Sequence, residues 1–120
     1  MFGTDATHGD QHTLGNVIFP HNIGLSCTHN ESNFENVGYW TKMGITKAGF
    51  NYAFAPNVAV SHNPQWGRYY ETMGQEEEYI YKYAKAFTKG LQDISNGKIG
   101  GSLGTSKHFF ADGATQYGAN

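Results

Sequence analysis

Residues 57–71, reading NVAVSHNPQWGRYYE, concentrate the side chains of this chain that are able to do chemistry: the imidazole of His62, the indole of Trp66, the guanidinium of Arg68 and the carboxylate of Glu71. Arg68 offers charge-assisted donors and an ionised Glu71 only accepts. Standing three apart, the two can equally pair with each other and brace whatever the loop presents. Lys107 and His108 form a second group and Asp5 stands near the start. His8 and His12 have the four-residue spacing of two zinc ligands on one helix face. Gly9 and Gly15 argue against a helix there, and the glutamate of a metalloprotease motif is missing, so a hydrogen-bonded loop is expected and no metal site. Gly97, Gly100, Gly101 and Gly104 suggest a phosphate cradle, but the Gly-Lys-Ser/Thr ending is absent and no helix follows. No cofactor is expected.

The elements that must position these groups follow from periodicity. Residues 50–56, rich in aromatics and closed by Pro56, read as a buried strand. Residues 73–95 read as a long helix with the stripe Ile80, Tyr83, Ala84, Phe87, Leu91 and Ile94, ended by Asn96-Gly97. Its acidic run Glu76, Glu77 and Glu78 suits a solvated helix start rather than a metal site. Residues 33–47 fit a second helix, with Phe34, Val37, Trp40 or Thr41, and Gly44 or Ile45 on one face. Asn30 or Ser32 caps it, Gly49 stops it, and Trp40 is expected in the core, as is Trp66. Residues 1–5 read as the end of a strand and residues 104–110 as another, with a turn at Asp112-Gly113. Strand, helix, strand, helix, strand implies right-handed crossovers and parallel strands covered on both faces. Sites in such folds lie at strand C-termini, where the loop of residues 57–71 begins. The class is therefore α/β, a parallel β-α-β-α-β segment. A (β/α)8 barrel needs roughly 250 residues, so 120 residues with three strands read as incomplete, cut at both ends.

Composition narrows the function classes. A formal charge of -2 gives no electrostatic reason to expect nucleic acid or an anionic membrane. No apolar run approaches the roughly 18 residues of a membrane span. Cys27 is the single cysteine, which excludes an internal disulfide. Asn30-Glu31-Ser32 is a glycosylation triplet of a kind that arises often by chance. Sixteen glycines and 15% aromatics suit a loop-rich, enzyme-like chain better than a helical bundle or a disordered tail.

Five stretches, in order, resemble glycoside hydrolase family 3, the exo-acting β-glucosidases and β-glucan glucohydrolases. They are GTDATHG at residues 3–9, FPHN at 19–22, FAPN at 54–57, PQWGRYYE at 64–71, and Lys107-His108-Phe109 with Asp112-Gly113. The resemblance spans nearly the whole chain and implies part of the family's N-terminal (β/α)8 TIM-type barrel, from about its second strand to its fourth. It implies that Asp5 grips hydroxyls of the non-reducing glucose in the terminal subsite, with Arg68 beside it, and that Lys107 and His108 bind sugar hydroxyls from the next strand. The residue chemistry agrees, because a neutral sugar needs both acceptors and donors. Glu71 is expected to brace Arg68, while His8, His62 and Asp112 shape loops.

Retaining glycoside hydrolysis needs two carboxyl groups about 5 Å apart. The resemblance implies a nucleophilic aspartate on a later strand, in a Ser-Asp-Trp-like context, and an acid/base glutamate from a following domain; neither stretch occurs here. Asp5, Glu71 and Asp112 match binding or structural positions instead, so no catalytic residue is assigned and the chain alone is expected to be inactive. The expected function is a fragment of a retaining β-glucosidase that supplies terminal-glucose binding. A non-catalytic sugar-binding module and a structural protomer reusing the βαβ segment are the alternatives. Expected partners are a β-glucoside or β-glucan, and the rest of the barrel, another copy or another chain to cover the open sheet edges. The resemblance leaves the compartment open among secreted, periplasmic and vacuolar.

Overall fold

Two long helices lie over a narrow parallel sheet in the computed structural model, which describes residues 1–95 and 98–115. In chain order the elements are β1 (Gly3–Thr4), α1 (Asn22–Ser26), α2 (Glu31–Lys47), β2 (Tyr52–Ala53), a 3-10 turn (Tyr69–Glu71), α3 (Glu77–Gln92), β3 (Ile94–Ser95), β4 (Lys98–Ile99), β5 (Leu103–Gly104) and a second 3-10 turn (Asp112–Ala114). The sheet order is β1-β2-β5, with both pairs parallel. A separate parallel bridge joins Asn57 to Lys107 beyond the regular ladder. No helix among the described residues is long and apolar enough to cross a membrane.

The strands are shorter than the sequence suggests, and the sheet is not buried on both faces. Ala53 and Ala55 face the helices and belong to the main core, whereas Tyr52 and Phe54 meet edge to face at 5.2 Å. Their rings pack where a Cβ on Gly3 would stand, and Phe54 remains 36% exposed. The aromatic run thus divides between two surfaces instead of filling one core.

Helix α2 starts where its cap dictates: the Asn30 side chain accepts from the Ser32 N–H at 3.0 Å. Phe34, Val37, Thr41 and Ile45 are buried, while Trp40 is 57% exposed. The i+4 step from Val37 to Thr41 continues the stripe, so Trp40 lies beside the packing face, not in the core as expected. Helix α3 begins at Glu77 rather than residue 73, after Gly74 takes φ +134°, a value no helix accommodates. It ends at Gln92 because Asp93 is left-handed (φ 48°), and Lys42 holds the Asp93 carboxylate at 2.8 Å. Ile94 leaves the helical stripe for the β3–β4 antiparallel hairpin. The expected Asn96-Gly97 stop lies outside the described residues.

Helices α2 and α3 form the core against the sheet. Phe34 and Tyr83 stack at 4.4 Å with 9° between ring planes. Close approach is enforced at Gly38 and Gly90. A Cβ on Gly38 would stand 2.2 Å from the Phe87 carbonyl oxygen, and one on Gly90 2.0 Å from that of Glu35. Phe34, Phe87, Ile45 and Leu91 are fully buried, each worth about 1.5–3 kcal/mol.

Candidate functional site

The C-terminal ends of the three parallel strands deliver the polar groups to one mouth. Asp5 follows β1 directly, Arg68 comes from the long loop after β2, and Lys107 and His108 follow β5. Lys107 Nζ lies 2.6 Å from Asp5 Oδ1, closing the gap between the two outer strands. Arg68 lays the side of its guanidinium against Glu71, Nε to Oε1 at 2.7 Å and Nη2 to Oε2 at 2.9 Å. Its remaining terminal nitrogen, Nη1, reaches His108 Nε2 at 3.0 Å. Asp5, Arg68, Glu71 and Lys107 form the charged side of a cavity of about 190 Å³. His8, His21 and Tyr70 form its aromatic side, with His8 and His21 4.7 Å apart and His21 edge-on to Tyr70 at 4.6 Å.

Support for this mouth comes from buried amides. Asn57, fully buried at the end of the β2 segment, donates Nδ2–H to Glu71 Oε2 at 3.1 Å and accepts from the Ala59 N–H at 2.9 Å. Asn22 of α1 donates to the Glu71 main-chain carbonyl at 3.0 Å. Trp66 is buried, consistent with packing rather than a face offered to a ligand.

The family model for the glycosyl hydrolase family 3 N terminal domain matches residues 1–119. The chain belongs to glycosyl hydrolase family 3. It is 29% identical over 115 residues to the lysosomal beta glucosidase of Dictyostelium discoideum, covering 92% of this chain and 14% of that protein. It is also 29% identical over 118 residues to the periplasmic beta-glucosidase of Salmonella typhimurium, covering 98% of this chain and 15% of that protein. Among solved structures, an exo-1,3/1,4-beta-glucanase from a Pseudoalteromonas species superimposes with a TM-score of 0.88 at 34% identity, over 97% of this chain and 15% of the other. The chain thus spans about one seventh of the length of the curated relatives it matches. Its three-stranded parallel α/β fold matches the family's N-terminal barrel domain.

Within this family 3 segment the four candidate residues are brought together, but not equivalently. Asp5, Arg68 and Lys107 line the cavity, whereas His108 sits behind Arg68, with Asp112 Oδ2 2.6 Å from its Nδ1. Burial raises the Glu71 pKa, but the hydrogen bonds from Arg68 and Asn57, with the Arg68 and Lys107 charges, outweigh it and hold the carboxyl below its usual range. The same bond to Glu71 raises the already high pKa of Arg68. Burial and the neighbouring Glu71 push the Tyr70 phenol up, so it stays a neutral donor. His8 and His12 do not share a helix face: His8 Nδ1 lies 2.8 Å from the Phe19 carbonyl, and His12 Nδ1 is 3.3 Å from Thr4 Oγ1. Among the described residues no group of three His, Cys, Asp or Glu is placed to hold a metal ion.

Sequence reasoning passed over His21, Tyr70 and Asn57 as site residues. His21 and Tyr70 stand inside the family-like motifs, and no local spacing says that two such distant residues share a wall. Asn57 carried a usable signal, an amide directly after Pro56 at the end of the strand run.

Proposed function

We propose that the cavity holds the terminal, non-reducing glucose of a β-glucoside or β-glucan, and that the chain contributes this grip to a retaining, exo-acting β-glucosidase. The observation that carries the reading is the set of hydrogen-bonding positions left open at the mouth. A guanidinium has five N–H donors. Three of those on Arg68 go to Glu71 and His108, so among the described residues two remain, one on each terminal nitrogen. Among the described residues Lys107 spends one of its three N–H bonds on Asp5 Oδ1, leaving two, and Asp5 Oδ2 remains an open acceptor. Paired donors on one side and a carboxylate on the other match adjacent sugar hydroxyls, each of which gives one proton and accepts another. The β-glucosidase and β-glucanase names of the relatives support glucose as the sugar.

Among the described residues, each carboxylate beside the grip already has a neighbour. Glu71 is engaged by Arg68 and Asn57, Asp5 by Lys107, and Asp112 abuts His108. On this reading the nucleophile and acid/base of the retaining reaction come from other segments of the intact protein. Substitutions Arg68→Met and Lys107→Met in that protein test it. Each is expected to lower kcat/KM on an aryl β-glucoside by about 10- to 100-fold, the worth of a charged hydrogen bond. Unchanged kcat/KM in both would refute the reading.

A further inference from the structure

The surroundings of His108 dictate where its proton sits. A guanidinium has no acceptor atom, so the 3.0 Å contact from Arg68 Nη1 is a hydrogen bond only if His108 Nε2 is bare. A neutral imidazole with a bare Nε2 carries its proton on Nδ1. Nδ1 is closed to solvent, as is Asp112 Oδ2; the two lie 2.6 Å apart, and neither makes a hydrogen bond of regular geometry to any described residue, the other included. Their alignment departs from that of a linear hydrogen bond, yet pairing is what keeps two buried polar atoms from being orphaned. An ionised carboxylate has nothing to donate, so the proton between them belongs to Nδ1.

The backbone holds Asp112 in this place. Ala111 is left-handed (φ 62°), and the turn that follows is seated on the loop after β2. A Cβ on buried Gly113 would stand 2.2 Å from the Val60 carbonyl oxygen. The carboxylate is therefore carried to His108 by a turn with no room to shift toward Val60.

We propose that Asp112 is a positioning residue that holds His108 in the Nδ1–H tautomer. Nε2 is thereby left as an acceptor for Arg68, and His108 becomes a further anchor of the guanidinium plane beside the two oxygens of Glu71. The consequence for sugar rests on the reading of Arg68 given above, whereas the tautomer is a property of the chain itself.

The test is ¹⁵N NMR of the imidazole nitrogens in the intact protein without sugar, at about pH 8.5, two units above the ordinary histidine value. His108 signals are identified by their loss in His108→Gln. A protonated-type Nδ1 and a bare-type Nε2 are expected. Asp112→Asn, whose amide oxygen still accepts, keeps that pattern, and Asp112→Ala moves the ring toward the Nε2–H form. Arg68→Met keeps the Nδ1–H form because Asp112 is still present. An Nε2–H ring in the unmodified protein, an unchanged ring in Asp112→Ala, or a switch to Nε2–H in Arg68→Met would each overturn the proposal. Where Asp112→Ala does not fold, the other two spectra decide. None of these spectra contains sugar, so failure of the glucose reading would leave them intact.

Discussion

Glu71 shows how opposing forces on one carboxylate resolve at this site. Burial favours the neutral acid, and the bonds from Arg68 and Asn57 favour the anion; the anion wins. A folded-state pKa below the unfolded value contributes stability that is fully present above about 4.3 and is lost as pH falls through the lower folded value. Glu71→Gln should therefore cost about 1–3 kcal/mol at neutral pH, less than a fully buried pair because the Arg68 side chain is a third exposed. It should also flatten the fall in stability on acidification. Denaturant melts of the intact protein across the acid range check both, and an unchanged acid slope in the variant would contradict the assignment. The Arg68–Glu71 pairing was legible because both partners sit three residues apart in one motif. The contact from Arg68 to His108 was not, because it joins residues 40 apart in sequence and only the parallel strands bring them together. Trp40 was misplaced for a local reason: i+3 and i+4 steps both fit a helical stripe, and only packing against α3 chooses between Trp40 and Thr41.

Among the elements, α2 and α3 were legible from their periods and the strands only from their order. Their ends were not, since the backbone at Gly74 and Asp93 overrode the stripe, and pairing in the sheet stops after two residues per strand. The helix crossing gives a direct prediction. Gly90→Ala gains about 1 kcal/mol of helix propensity, but its Cβ would meet the Glu35 backbone oxygen at 2.0 Å, where no rotamer change relieves the clash. Overpacking of this kind costs about 1–3 kcal/mol. A net loss of stability is expected in thermal unfolding, with Gly24→Ala in α1, whose Cβ would meet nothing within 4 Å, as the control that keeps the propensity gain without the clash and loses no stability. A Gly90→Ala melting temperature at or above that of the unmodified protein would contradict the packing.

At the scale of the molecule, apolar surface is left uncovered. Phe109 is 99% and Phe110 78% exposed, and a groove of about 980 Å³ runs along α3 past Val58, Val60, Ile80 and Ala84. Net domain stability is only about 5–15 kcal/mol and each wet aromatic forgoes about 1.5–3. Residues 1–120 expressed alone are therefore expected to self-associate or to melt without cooperativity until further barrel strands, another copy or another chain covers that surface. Sedimentation and thermal unfolding read this directly, and a soluble monomer with a cooperative transition would refute it.

On the proposed reading this segment grips terminal glucose, with Asp5 as the carboxylate that accepts from the sugar hydroxyls. Calorimetric titration of glucose into the intact protein, unmodified and Asp5→Asn, tests it most directly. An affinity loss of about 10- to 100-fold is expected in the variant, one charged hydrogen-bonding group removed from the sugar. Glucose affinity unchanged by Asp5→Asn would contradict it.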